Sequence, residues 1–235
     1  MVVTVATAEP DGGRRRTQAE RRARTRAALL EAAARGLSRY GYANLMLDRV
    51  AREAGYTRGA LYHLFANKEE LALAVVRWVD ETWSAEVGRL AAQETDPVEA
   101  LLATARGHAV YCRRDVARVM MTLRVEFAGQ DHPVGRLIEK IIDDALDSIG
   151  EQIAAARAAG SLPPGPPPRE TARAYVGAVE GIGILLAGHA PHDAELIERA
   201  VRGVLGLPPT PTGTTGPGGG TPAHEAAAAR GAVGP

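Results

Sequence analysis

His108 and Cys112 are the two residues of this chain whose types and spacing most readily suggest chemistry. They are four positions apart, so on a helix the imidazole could contact the thiol and activate it as a nucleophile. The same residues also continue an apolar helical stripe, and a buried structural role is the interpretation that we favour. The chain has no Gly-rich phosphate loop or nucleophile elbow, and its single cysteine leaves no Cys/His cluster. The sequence therefore predicts a protein that is not an enzyme and uses no cofactor or metal.

Basic side chains are concentrated near the N-terminus. Residues 1–68 contain 13 Lys and Arg against 6 Asp and Glu, a net charge of +7, and the remaining residues carry −7. Seven of these arginines lie between residues 14 and 26, and the run begins with Arg14, Arg15 and Arg16. Such asymmetry is typical of a nucleic-acid-binding domain on a separate body, because Lys and Arg neutralise phosphates. A basic helix face that is simply solvated is the open alternative.

Apolar residues recur at helical spacing along most of the chain, and no segment alternates as a strand would. About nine helices are predicted, which gives an all-α fold. Thr17 and Glu20 have the spacing of a capping box, so the first helix is expected to start there. Asn67 is expected to cap the fourth helix. The proline-rich segment from Leu162 to Pro168 is predicted to be a stiff loop.

The second and third helices are short and are separated by a tight turn around Gly55. The first of the two runs from about Leu47, and the second is predicted to extend from Thr57 to about Leu64. This is the layout of a helix-turn-helix, in which the second short helix enters the major groove of DNA. Two such helices bury little surface, so the long helices on either side must complete their core. The residues expected to fill that core are Leu30, Leu37, Val50, Ala54, Leu61 and Phe65.

This region resembles the signature of the TetR family of regulators. The matching residues are Gly41-Tyr42, the run from Val50 to Phe65, and the run from Asn67 to Leu71. The resemblance covers about residues 20–75, is closest to the multidrug-efflux repressors, and is mainly architectural beyond that. It implies an N-terminal three-helix DNA-binding domain and a C-terminal helical domain for ligand sensing and dimerisation. It also implies a homodimer that binds a palindromic operator in double-stranded DNA and is released by a small lipophilic effector.

The resemblance assigns DNA contacts residue by residue. Three side chains are expected to face base edges, where sequence is read: Arg58, Ala60 and His63. Two side chains are expected to bind phosphates, which positions the protein without specifying sequence: Tyr62 and Lys68.

The remaining DNA contacts come from the flanks of the recognition helix. Thr57 is expected to cap this helix, and Gly59 to let its backbone approach the DNA closely. The basic N-terminal run is expected to contact phosphates or the minor groove as an arm. The family usually has hydroxyl residues where this chain has Leu45 and Met46, so Asn44 is expected to take over the cap of the second helix.

Four polar residues interrupt the apolar stripes of the body, and they should either pair or face a cavity: His108, Arg124, Glu126 and Glu180. Since methionines and aromatic rings suit a chamber for apolar molecules, we expect a ligand chamber, with ordinary core packing as the open alternative. The residues expected to line the chamber are Trp78, His108, Tyr111, Met120, Met121, Arg124, Phe127, Tyr175 and Glu180.

The last two helices carry small, flat apolar faces that would be exposed on a monomer. Paired across a two-fold axis, they would form a four-helix bundle. The residues expected at this dimer interface are Ala172, Val176, Val179, Gly183, Ile197, Val201 and Val204.

The predicted organisation has four parts: a disordered basic arm at 1–16, the helix-turn-helix domain at 17–66, the ligand-binding and dimerisation domain at 67–206, and a disordered Pro/Gly-rich tail at 207–235. No signal peptide or membrane span is recognisable, so the protein is expected in the cytoplasm and away from membranes. The alternative function is a ligand-independent helix-turn-helix protein whose body core is filled.

Overall fold

The computed structural model describes residues 17–186 and 189–209, and within these residues the chain is helical without strands. The helices are α1 (Gln18–Tyr40), α2 (Leu47–Glu53), α3 (Arg58–Tyr62), α4 (Lys68–Trp83), α5 (Arg89–Ala92), α6 (Pro97–Tyr111), α7 (Val119–Glu126), α8 (Pro133–Ala158), α9 (Pro168–Leu185) and α10 (His192–Leu205). A π-helical turn, Ser84–Gly88, joins α4 to α5 without a break, so the ten α-helices of the described residues make nine continuous helical segments. The all-α prediction is confirmed. None of the described helices is long and apolar enough to cross a membrane.

Two predicted segments fall largely outside the described residues. They are the basic arm at 1–16, with Arg14, Arg15 and Arg16, and the tail, of which only residues 207–209 are described.

The head of the molecule, α1–α3, begins and ends its helices where the sequence indicates. The Thr17 hydroxyl accepts a hydrogen bond from the Glu20 amide and the Glu20 carboxylate accepts one from the Thr17 amide, which completes the capping box. Gly41 ends α1 at φ 72°, and Gly55 makes the turn between α2 and α3 at φ 78°. Both φ values are costly for residues with a side chain, so these turns require glycine.

One apolar core runs from the head into the body. It packs α1–α3 against α4, α7 and the beginning of α8, and its innermost residues include Leu30, Leu37, Leu61, Phe65 and Ile138. A second core lies between α6, α8, α9 and α10. Because α4, α7 and α8 belong to the first core, any movement of these helices bears directly on the head.

The dimer interface predicted from the sequence is wrong for most of its residues, because they lie inside the second core. Ala172, Ile197 and Val201 are fully buried within the single chain, and Val179 is almost so. Gly183 is buried too, and a Cβ there would lie 3.1 Å from the Cys112 sulfur. The faces chosen from the sequence point inward because the strongest apolar stripe of α9 packs mainly on α8 and α10, and that of α10 packs on α6 and α9. The two others, Val176 and Val204, are half-buried against the same core.

Two local predictions are also wrong. Pro168 is the first residue of α9 and not part of the loop, because a proline is tolerated in the first turn, where its missing N–H has no partner to lose. Asn44 does not cap α2; its side-chain amide donates to the Tyr40 carbonyl at 3.1 Å. The α2 cap position is Met46, which makes no side-chain capping bond.

Candidate nucleic-acid interface and internal chamber

Helix α3 is a short exposed helix held to the head by one buried side chain. Leu61 is fully buried, whereas Arg58, Gly59 and His63 on the other faces are exposed and Ala60 is half-buried. The Thr57 hydroxyl accepts a hydrogen bond from the Ala60 amide at 3.2 Å, as predicted for the cap of this helix. The residues predicted to read bases therefore lie on one accessible helix.

Arg58 and Tyr62 are arranged as a pair on that surface. The Arg58 guanidinium lies 3.3 Å from the Tyr62 hydroxyl and 5.3 Å from the centre of its ring. The guanidinium also pairs with Asp48 of α2 at 3.1 Å. The Tyr62 hydroxyl and then the Asp48 charge raise the pKa of Arg58, so it is fully charged. Arg58 and Asp48 are both exposed, so breaking their ion pair in order to bind a base edge costs little free energy.

Lys68 is held against the turn between α1 and α2, residues 41–44. Its ammonium donates to the Ala43 carbonyl at 2.9 Å and lies 4.6 Å from the centre of the Tyr42 ring. The side chain predicted to bind phosphate is thus already placed at the N-terminus of α4, with the positive end of the helix dipole behind it.

Glu126, at the end of α7, holds the same turn from the body; the sequence predicts that this residue pairs or faces a cavity, and the structure supplies its partners. Its two carboxylate oxygens accept hydrogen bonds from the amides of Tyr42 at 2.5 Å and Ala43 at 2.6 Å. A Cβ at Gly41 would lie 2.6 Å from the same carboxylate. The sequence contains two signals of this contact, Glu126 within an apolar stripe and the glycine, but the position of Gly41 after α1 is also explained by helix termination.

The body contains a chamber of about 380 Å³, partly open to solvent, between α4, the π-helical turn, α6, α7, α8 and α9. The predicted residues that line it are His108, Tyr111, Met120, Met121, Arg124, Tyr175 and Glu180. Trp78 and Phe127 do not line it, which corrects the prediction. Trp78 packs on the first core, and Phe127 is buried with its ring stacked on His132 at 4.1 Å.

The chamber residues that the sequence analysis missed come mainly from α4 and α8. Asp80 and Trp83 line one wall, and Ile141, Ile142 and Ile149 line another. Trp83 occupies the place expected for Trp78; the two lie five positions apart, which is about 140° around an α-helix of 3.6 residues per turn. The isoleucines carry no signal of their own, since lining a chamber and filling a core require the same side chains.

His108 and Cys112 meet in one wall of this chamber, but not as a catalytic pair. The Trp83 indole donates to His108 Nδ1 at 3.1 Å, and the Cys112 sulfur lies 3.1 Å from Nε2. Burial lowers the pKa of His108 and raises the pKa of Cys112 to about 12. The pair is therefore a neutral imidazole and a protonated thiol, which is not the thiolate that nucleophilic catalysis needs.

Comparison with known proteins identifies the head. The family model described as bacterial regulatory proteins, tetR family, matches residues 29–75, from the buried part of α1 into α4. Residues 29–75 of this chain therefore form a TetR-family regulatory domain. Among curated relatives, the A-factor receptor protein of Streptomyces griseus is 29% identical over 157 residues, 66% of this chain. That alignment spans only 52% of the receptor's own length.

Solved structures share the fold over more than three quarters of this chain. A TetR-family transcriptional regulator from Streptomyces coelicolor is 25% identical with a TM-score of 0.66, over 78% of this chain and 95% of that one. SmeT in complex with triclosan is 27% identical with a TM-score of 0.61, over 77% of this chain and 90% of that one. The similarity therefore extends well beyond the head into the helices that surround the chamber.

The TetR head of this chain departs from the family pattern at Leu45 and Met46. Leu45 is buried, and its side chain fills the space above Gly36, where a Cβ would lie 2.8 Å from it. Met46 is 65% exposed beside α2. A hydroxyl at position 45 would be buried where Leu45 now packs, so this departure adds to the core of the head. Met46 replaces a hydroxyl with an apolar side chain at the surface, and nothing in the structure explains that choice.

Proposed function

We propose that the protein is a homodimeric transcriptional repressor that binds a palindromic operator through α3 and is released by a small lipophilic effector in the chamber. The observation that supports this most is the exposed α3, capped by Thr57 and anchored by Leu61, within a segment that matches the TetR family. The charge distribution agrees with this proposal, since residues 1–68 carry a net charge of +7, which attracts DNA.

In the proposed complex α3 lies in the major groove. Arg58 and His63 reach base edges, and Ala60 packs against them, while Gly59 allows close approach. Tyr62 and Lys68 contact phosphates on either side of the groove. Thr57 and Asn44 lie near the sugar-phosphate backbone of the DNA. In this arrangement Arg58 leaves Asp48 and gains a base acceptor, and its pairing with the Tyr62 hydroxyl keeps it extended towards the DNA.

The proposed dimer uses the outward faces of α9 and α10 in place of those predicted from the sequence. On α9 these are small or apolar positions one helical turn apart, Ala174, Gly177, Gly181 and Leu185, and Leu185 is 76% exposed. A Cβ at Gly177 or Gly181 would meet nothing within 4 Å, so a second helix can approach closely there. Two copies packed on this face form a four-helix bundle and present two heads to half-sites about 34–36 Å apart.

The chamber supports an effector-responsive protein over the ligand-independent alternative. A filled core would leave no cavity, whereas this one has about 380 Å³ lined by methionine, aromatic and isoleucine side chains. SmeT, which shares the fold, has been solved in complex with triclosan. An effector lowers DNA affinity only if it binds better to the conformation in which the heads leave their half-site spacing.

Selection of binding sites from random-sequence DNA by the full chain tests the proposal. We expect enrichment of an inverted repeat whose half-site centres are one helical turn apart, bound by two chains. Enrichment of a single half-site bound by one chain would reject the dimer, and an unenriched pool would reject sequence-specific binding altogether.

A further inference from the structure

The turn between α1 and α2 is held from two sides by residues of opposite charge. Glu126 binds the amides of Tyr42 and Ala43, and the Lys68 ammonium binds the Ala43 carbonyl on the other side. The two holding residues belong to α7 and α4, and both of these helices also line the chamber. The turn therefore connects the head to the two helices that an effector would touch.

Glu126 occupies a position that its own helix does not favour. It lies in the last turn of α7, at the negative end of the helix dipole, where a carboxylate is destabilising. The two amides of the turn compensate for this, since consecutive N–H groups form a small anion-binding concavity. Gly41 completes the fit, because any larger residue would put a Cβ 2.6 Å from a carboxylate oxygen. These features are matched to one another across 84 residues of sequence.

The same helix carries the chamber residues Met120, Met121 and Arg124. Helix α7 has only eight residues, about 12 Å of α-helix, and so moves as a rigid unit. A shift of Met121 caused by a molecule in the chamber is therefore passed to Glu126 with little loss. Just beyond the helix, Phe127 contacts the edge of the Tyr42 ring at 5.2 Å, so the same movement also disturbs the packing of the turn.

We propose that Glu126 is the positioning residue through which the chamber controls the head. With both hydrogen bonds in place, the turn fixes α2 and α3 at the angle that DNA requires. When α7 moves, Glu126 leaves the amides, the turn keeps the Lys68 hydrogen bond but loses those from α7, and the head loses its fixed angle. This inference rests on the repressor function proposed above and names the contact by which that function is regulated.

A double-mutant cycle on DNA binding tests the inference without a known effector. Ala145→Phe places a ring from α8 in the chamber that α7 also lines, and it stands in for a bound molecule. Glu126→Gln keeps the shape of the side chain and removes its charge, and Glu139→Gln, on the exposed side of α8, is the matched control. The probe is the site selected by the wild-type chain, and affinity is measured by fluorescence anisotropy.

We expect Glu126→Gln to weaken DNA binding about tenfold and Glu139→Gln to leave it unchanged. Ala145→Phe should weaken binding by a similar factor in the wild-type background and by less than twofold in the Glu126→Gln background, because the contact that transmits the change is already lost. Multiplicative effects, or an Ala145→Phe variant with wild-type affinity, would overturn the inference while leaving the repressor function intact. Failure of the wild-type chain to select any site would instead reject the proposed function.

Hydrogen exchange of the full chain without DNA supplies a readout that does not depend on binding. Glu126→Gln should speed exchange of the amides of residues 42–43 about tenfold or more and leave the peptides of α9 and α10 unchanged. Unchanged protection of these two amides would contradict the inference even if the variant bound DNA poorly.

Discussion

The buried ion pair between Arg113 and Asp193 gives the sharpest stability prediction. Asp193 is fully buried in the first turn of α10, and Arg113 follows the end of α6. The guanidinium donates from Nε to one carboxylate oxygen and from Nη2 to the other, each at 2.8 Å. This two-point contact ties α10 to α6 at the edge of the second core. Replacing Asp193 by Asn keeps the size of the side chain but removes its charge and one of the two acceptors.

The expected cost of Asp193→Asn is about 2–3 kcal/mol in the free energy of unfolding. A hydrogen bond to a charged group contributes about 1.5–3 kcal/mol, and Asn can still accept one of the two. Arg113 is a third exposed, so water replaces part of what the guanidinium loses and the cost stays below the 3–5 kcal/mol typical of an unpaired buried charge. Asp131→Asn removes a carboxylate that is 89% exposed and also paired with an arginine, and it should cost less than about 0.5 kcal/mol.

The same pair predicts how the stability changes with pH. The Arg113 hydrogen bonds hold the pKa of Asp193 below its usual range, so the folded state binds the proton less readily than the unfolded chain does. The stabilisation is therefore complete above the unfolded pKa, near 3.9, and is lost as the pH falls through the lower pKa of the folded protein. Asp193→Asn should lack this part of the acid destabilisation.

Urea unfolding followed by circular dichroism at 222 nm, at pH 7 and at a series of pH values from 5 to 3, measures both effects. The protein concentration must be the same throughout, since dimerisation would make the midpoint depend on it. An Asp193→Asn variant within about 0.5 kcal/mol of wild type at pH 7, or one with the same acid profile, would refute the reasoning.

Three further predictions concern DNA binding and assembly. Arg58→Ala should cost about 1–3 kcal/mol of DNA-binding free energy and relax specificity at one base position. Lys68→Ala should weaken binding to all sequences alike and reduce the slope of log affinity against log salt concentration by about 1. Competition between base-substituted sites at several salt concentrations separates the two effects. Gly41→Ala, at φ 72° and against the Glu126 carboxylate, should lower DNA affinity as Glu126→Gln does, and an anisotropy titration in which it binds as wild type would contradict the geometry of the turn. Leu185→Asp should shift the chain towards monomer in analytical ultracentrifugation, with Val125→Asp, at a residue 69% exposed on α7, as the control; equal behaviour of the two variants would exclude the proposed face.

Local rules were enough to predict the head of this protein. Capping residues, the glycines at two turns and the apolar stripes placed α1–α4 correctly, because these signals act within a few residues of sequence. The body was harder to predict. Trp78 and Trp83 are both aromatic residues on one helix, and only the packing of α4 against its neighbours decides which of them faces the chamber.

The dimer faces failed for a related reason. Ala172 belongs to the strongest apolar stripe of α9 and Ile197 to that of α10, but the single chain buries both stripes in its own core. The outward face of α9 that we propose instead includes small residues such as Gly177 and Gly181, whose hydropathy is too low to mark an interface in the sequence. Glu126 could be predicted to pair or face a cavity, but not with which partners, because these are backbone amides, which any sequence provides, and the Tyr42 amide lies 84 residues away.

Whether α3 reads DNA sequence is tested most directly by one pair of titrations with the full chain at physiological salt. The two DNA duplexes are the site selected from random sequence and a scrambled duplex of the same composition. The account predicts that the selected site is bound at least about 10³-fold more tightly, and that Arg58→Ala removes a tenfold or larger part of that ratio. Equal affinity for the two duplexes, or an Arg58→Ala variant with the full ratio, would contradict the claim that this helix reads DNA.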